Sequence, residues 1–134
     1  MAETSDSNPH IRRVNSPLET LIMDALRRYG DFSPAGANAQ TILLMLDFAN
    51  SIIDEVRAHP YWDGSDIDYY THVSDAREIP DNILRSGLAY YYAMQQGSQK
   101  MQTLGQQFIR DLNRELYYRL HGNGPLEMTV VDRE

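Results

Sequence analysis

The sequence predicts an all-α protein, a four-helix bundle interrupted by one long non-helical insertion. Three observations carry this. Apolar residues recur at helical spacing in four separate stretches. Proline and glycine punctuate those stretches where helices start and stop. Between about 60 and 79 the period changes from that of a helix to that of a strand.

The first helix is expected over 17–29. Ser16-Pro17-Leu18-Glu19 fits a capping box with proline at the first helical position. Leu18, Leu21, Ile22, Ala25, Leu26 and Tyr29 make one stripe, and Gly30 supplies the stop. The second helix runs from Pro34 or Ala37 to Ala58. Ala39, Ile42, Leu43, Leu46, Ala49, Ile53 and Val56 face one way, and Met45, Phe48 and Ile52 broaden the stripe. A helix apolar over more than half its girth is expected at the centre of its bundle, with Leu46 in the core. Pro60 ends it. The third and fourth helices, 81–96 and 99–121, lie back to back. Pro80-Asp81 opens the third, Gln96-Gly97-Ser98 separates the two and His121-Gly122 closes the fourth. Ile83, Leu84, Leu88 and Tyr91 follow helical spacing on one, and Met101, Leu104, Phe108 and Leu112 on the other, with Phe108 expected in the core.

The 134 residues suffice for one domain with its own core. Residues 1–15 read as a polar arm, 16–121 as the helical domain with the insertion 60–79, and 122–134 as a C-terminal arm. The first of these is expected to be disordered when alone. There is no cysteine, which removes disulfides and thiolate metal sites and fits a reducing compartment. No apolar run approaches the roughly 20 residues of a membrane span, and the N-terminus lacks a signal peptide's apolar core. The net charge of −7 argues against a grip on nucleic acid. Eleven of the twelve basic residues are arginine, a residue suited to planar contacts at protein interfaces.

In the insertion, Pro60-Tyr61-Trp62-Asp63-Gly64 reads as a turn whose two aromatics anchor the base of a projecting loop. Ile67, Tyr69, Thr71 and Val73 then alternate with Asp68, Tyr70 and His72. From 60 to 81 six acids stand against Arg77 alone. Such a length exceeds the usual link between packed helices and points to function. The tail after Gly122-Asn123-Gly124-Pro125 alternates again, Leu126, Met128 and Val130 against Glu127 and Thr129. Extended segments with no partner among the helices are expected to pair with another chain.

No reaction centre emerges. Counted from Asp63 as an EF-hand loop, the sixth position is Asp68 and the twelfth Ser74, where glycine and glutamate are required. A solvated turn is the plainer reading. The histidines His10, His59, His72 and His121 include no helical metal pair. Ser86-Gly87 follows a helix start and lacks the strand a nucleophile elbow needs. No metal, cofactor or catalytic activity is expected.

The tyrosines carry more information. Tyr90-Tyr91-Tyr92 sit about 100° apart on a helix and cannot all face one core. Either one ring is buried and two lie on the surface, or at least one packs on another subunit, since tyrosine is enriched in interfaces. Tyr69-Tyr70 and Tyr117-Tyr118 repeat the situation. The candidate partner-interface residues are Tyr61, Trp62, Tyr69, Tyr70, Tyr90, Tyr92, Leu126, Met128 and Val130. Six glutamines between Gln95 and Gln107 suit either packing beside copies of the chain or a solvated face.

The order of these elements resembles the head–tail adaptor, or connector, proteins of tailed bacteriophages, tail accessory factors included. The resemblance covers roughly 17–121. Its features are a capped helix ending Leu26-Arg27-Arg28-Tyr29-Gly30, a helix from Ala39 to Val56 running into Tyr61-Trp62, an extended segment, Ile79-Pro80-Asp81 opening Ile83 to Ala93, and a last long helix with a tail. It implies a ring, typically of twelve subunits, docked beneath the portal protein in the neck of the virion after synthesis in the host bacterial cytoplasm. Such a ring extends the DNA channel, lets DNA pass without specific binding and offers a platform to tail or nozzle proteins. Tyr61 to Val73 would be the projecting segment and Leu126 to Val131 the arm. The competing class is a small helical regulatory or binding protein that clasps one partner through its tyrosines.

Overall fold

The computed structural model describes residues 16–30 and 39–120. The expected arms 1–15 and 122–134 lie outside the described residues. The described chain is all-helical: α1 (Leu18–Tyr29), α2 (Ala39–Ala58), α3 (Asp81–Gln96) and α4 (Met101–Leu120). It has no strand among the described residues, only one isolated antiparallel bridge between Pro17 and Ala76.

The centre of the bundle is α3, a correction to the expectation that α2 would hold that place. Helix α3 packs against all three others, while α1 and α2 meet only slightly. Its small residues make this possible. A Cβ at Gly87 would stand 2.6 Å from Ile52 Cδ1 and 2.9 Å from Phe108 Cε1. The missing side chain therefore lets α2 and α4 close in on α3. Ser86, Ala89 and Ala93 are fully buried beside it. The tyrosine triplet follows from the same geometry. Rotations of about 100° send three successive rings to three neighbours. Tyr92 meets Tyr29 of α1 edge-on at 5.0 Å, Tyr91 tilts against Phe48 of α2 at 5.5 Å, and Tyr90 lies 6.0 Å from Phe108 of α4.

Because α2 is peripheral, it buries a narrower stripe than its sequence offers. Met45, Ala49, Ile52, Ile53 and Val56 are buried. Leu46 is only half-buried at the core's edge, and Leu43, expected on the inner stripe, is 63% exposed. Phe108 lies in the core at 1% exposure.

The capping box at Ser16 also does not form as expected. Helix α1 has no side-chain cap. The Ser16 hydroxyl instead donates to Asp81. The first amides of α1 donate to the insertion, Leu18 N–H to Asp75 O at 2.9 Å and Glu19 N–H to Val73 O at 2.8 Å. At the C-terminal ends, Gly30 (φ 95°) and Gly97 (φ 63°) take the left-handed turn that closes α1 and α3. Lys100 Nζ reaches the Tyr29 carbonyl and lies 4.6 Å from the Tyr29 ring centroid, tying the α3–α4 corner to α1.

Residues 59–80 are non-helical and follow no strand period. Ile67, Tyr70 and Ile79 are buried at intervals that alternation does not give. The backbone is held by side chains in place of a neighbouring strand. Asn50 Nδ2 donates to Tyr70 O at 3.0 Å, and Tyr70 N–H donates to Asn50 Oδ1 at 2.7 Å. Arg57 donates to Ile67 O. Arg77 donates to the carbonyls of Asp68 at 3.0 Å and Tyr69 at 2.9 Å. Asp75 accepts the N–H groups of Thr71 at 2.9 Å and His72 at 3.0 Å. These bonds hold the Asp75 carboxylate below its ordinary value, the Thr71 N–H contributing most.

Candidate functional site

Two groups of side chains merit attention, a polar seam inside the bundle and a groove on its surface. The seam joins α1, α3 and α4. Arg28 donates to the Ser86 hydroxyl at 2.8 Å, and Ser86 donates to Asp111. Asp111 pairs with Arg114 at 2.7 Å. Glu115, 2% exposed, lies 3.9 Å from Arg114 and accepts from Asn82 at 3.3 Å. Arg85 donates to Asn82 Oδ1 at 3.0 Å and pairs with Asp24 at 2.9 Å and Asp81 at 3.8 Å. Each charge is answered by an opposite charge or a hydrogen bond, as buried polar groups require. The seam therefore fixes how the three helices sit on one another. Within it the Ser86 hydroxyl is fully buried and held between Arg28 and Asp111. Among the described residues, no three His, Cys, Asp or Glu side chains gather where they would hold a metal ion.

The groove runs between α2 and α4 over the edge of α3 and has a volume of about 860 Å³. Phe108 and Tyr90 form its floor and Glu55 stands on the α2 side. The α4 wall consists of two rows at four-residue spacing, Met101, Gly105 and Ile109 in one, and Gln102, Gln106 and Arg110 in the other. Gly105 lets the Tyr90 ring lie close to α4, since a Cβ would stand 2.8 Å from that ring in its present position. Ile109 is 51% exposed and Met101 38% exposed, so the apolar row opens to solvent.

The same face of α4 continues to its C-terminal end. Asn113, Tyr117 and Leu120 follow Ile109 at helical spacing. His59 Nδ1 accepts the Tyr61 N–H at 3.0 Å, so the neutral ring carries its proton on Nε2 and donates to Asn113 Oδ1 at 2.7 Å. Tyr61 meets Tyr117 edge-on at 5.7 Å. Arg119 stacks over Trp62 at 4.8 Å and reaches Asp63 at 3.2 Å, while the Trp62 indole N–H donates to Ser65 O at 3.1 Å. Tyr61 and Trp62 thus join the start of the insertion to the C-terminal end of α4.

The other expected interface residues divide. Tyr70 is 2% exposed, and burial pushes its hydroxyl well above the usual phenol range; it is closed to a partner in this conformation. Its hydroxyl has no hydrogen-bond partner among the described residues. Tyr92 is used within the chain against Tyr29. Tyr69 is 43% exposed, with its hydroxyl on Asp54 at 2.6 Å and Arg57 over its ring at 5.0 Å. Tyr90 lines the groove. Leu126, Met128 and Val130 lie outside the described residues. Met101 and Leu43, each expected on an inner apolar stripe, are exposed, and Ile109, which sequence reading did not single out, is exposed as well; only the packing shows which apolar residues stay open.

No helix among the described residues is long and apolar enough to cross a membrane. Compared with protein families, with curated proteins and with solved structures, the chain matches none.

Proposed function

We propose that this chain is a structural assembly subunit of the head–tail adaptor kind. Copies of it pack into a ring, typically of twelve, beneath a phage portal, extend the DNA channel and give tail proteins a platform. The observation that carries this reading is the open apolar face of α4. A bundle that already closes a core around α3 has no packing reason to expose Met101, Ile109, Tyr117 and Leu120 together along one helix, with Tyr61 beside them. Several exposed large apolar side chains on one helix suit an interaction surface. The order of the helices supports the same reading, as does the net charge of −7, which suits a lumen through which DNA slides. The insertion 60–79 and the C-terminal arm are the parts that reach partners. Tyr61 and Trp62 lie where the insertion meets α4, so a partner touching the insertion also touches the α4 face.

Electron microscopy of the purified chain, alone and mixed with a portal protein, tests the proposal. Closed rings with a central channel are expected in at least one of the two samples. Single 15.4 kDa particles in both would overturn it.

A further inference from the structure

We infer that the groove between α2 and α4 receives the C-terminal segment 126–131 of a second copy of this chain, laid in extended form beside α4. The inference rests on the assembly reading above and names the contact that would make it.

Spacing supports it first. From Met101 to Ile109 the apolar row of α4 spans about 12 Å at 1.5 Å per residue. From Leu126 to Val130 an extended chain spans about 13 Å at 3.3 Å per residue. Leu126, Met128 and Val130 fall on one side of such a segment, since alternate side chains share a face, and their interval matches Met101, Gly105 and Ile109. The gap left by the missing side chain at Gly105 stands opposite Met128, an unbranched residue that fills irregular space.

The wall chemistry supports it second. A helix has its backbone groups paired internally and asks only for apolar surface. An extended segment brings unpaired N–H and C=O groups. Gln102 and Gln106 are exposed along the groove, and each amide offers both donors and an acceptor. That is the equipment an extended occupant needs.

Charge sets the direction. Arg110 is exposed at the Ile109 end of the groove and pairs with no carboxylate among the described residues. With Leu126 over Met101 and Val130 over Ile109, Asp132 lies about 7 Å further along, within reach of the Arg110 side chain. The segment then runs parallel to α4. A chain that turned back at Gly122-Asn123-Gly124-Pro125 onto its own α4 would run antiparallel. It would place Leu126 beside Leu120 and reach only about as far as Asp111 by Val130. The open end of the groove at Met101 and Gly105 would stay uncovered. The tail of another copy has no such tether. Tail into groove is also a heterologous contact, two different surfaces meeting, which is the kind that closes into rings. The insertion is a poorer donor, because its backbone groups at 67–72 are already taken by Asn50, Arg57, Arg77 and Asp75.

The test places a photo-crosslinking amino acid at position 128 in the full chain. Isotopically heavy and light copies are mixed, irradiated at high concentration and digested. Heavy–light crosslinks from 128 to peptides within 101–110 are expected, and Ile109→Arg should abolish them while the circular dichroism stays helical. Crosslinks that are only heavy–heavy or light–light within a single chain would show the tail in its own groove and overturn the inference. Crosslinks between copies at another surface would overturn it too, while leaving the assembly reading intact. Sedimentation at the same concentration, with and without a portal protein, separates the two failures, since a chain that stays at 15.4 kDa in both contradicts both.

Discussion

Replacing Gly87 by alanine probes the packing that places α3 at the centre. Two effects oppose each other. Alanine is favoured over glycine inside a helix by about 1 kcal/mol. Against that, the new methyl would meet Ile52 Cδ1 at 2.6 Å and Phe108 Cε1 at 2.9 Å. Ile52 and Phe108 are 0% and 1% exposed, so neither can move aside into solvent. Overpacking of a closed core costs about 1–3 kcal/mol, and contact on two sides puts this site in the upper half of that range. The net loss expected is about 1–2 kcal/mol, a fall in melting temperature of about 4 °C per kcal/mol for a domain of this size. Gly105→Ala is the matched control. Its methyl would meet the Tyr90 ring at 2.8 Å, but Tyr90 is only half-buried and lines an open groove into which it can rotate. There the helix preference wins, and the variant should be as stable as the parent or slightly more so. Urea unfolding followed by far-UV circular dichroism reads both. If Gly87→Ala proves no less stable than the parent, the close approach of α2 and α4 through Gly87 is wrong.

Met45→Ala should cost about 2–5 kcal/mol, as removal of a buried side chain does, while Leu43→Ala should stay within about 0.5 kcal/mol; equal losses in urea unfolding would mean α2 is rotated from the position described. Asn50→Ala removes both bonds to the Tyr70 backbone and should cost about 1–3 kcal/mol, with faster hydrogen exchange at the Tyr70 amide; unchanged exchange would show that Asn50 does not hold the insertion. The Asp75 carboxylate is lowered in the folded chain from its ordinary 3.8. Its contribution is therefore complete above that value and is lost as pH falls through the folded value. Amide protection at Thr71 and His72 should be flat from neutral to about pH 4 and fall below it, and Asp75→Asn should remove that dependence; a decline that begins near neutrality would contradict the assignment.

The helices were legible because their signals are local. Pro17, Gly30, Pro60, Pro80 and Gly97 mark the ends, and the apolar spacing between them sets the period, so the boundaries of the described helices fall within two residues of those expected, with Ala37 and not Pro34 the nearer start for α2. Helix order in space was not legible. The richest apolar stripe pointed to α2, yet the centre went to α3, whose small residues Ser86, Gly87, Ala89 and Ala93 allow close approach without raising its apolar count. Leu43 and Leu46 were misplaced for the same reason. In the insertion, alternation at 67–73 suggested a strand, but pairing depends on partners distant in sequence. Asn50, Arg57 and Arg77 take those backbone groups, and nothing near 67–73 announces them. How far each tyrosine is exposed was not legible. Tyr61 stands at the surface and Trp62 is half-buried beside it, while Tyr70 and Tyr92 are spent on internal contacts. Tyrosine composition alone does not tell a ring that packs inside from one left open.

Sedimentation of the unmodified chain and of Ile109→Arg over a wide concentration range tests the central claim most directly. Ile109 is 51% exposed, so the substitution leaves the core intact and both proteins should be equally helical. Alone or with a portal protein, the unmodified chain is expected to form a defined assembly of many 15.4 kDa copies, and Ile109→Arg to remain a single copy under the same conditions. A helical, unmodified chain that stays single at every concentration both alone and with a portal protein, or a variant that assembles as well as its parent, would contradict it.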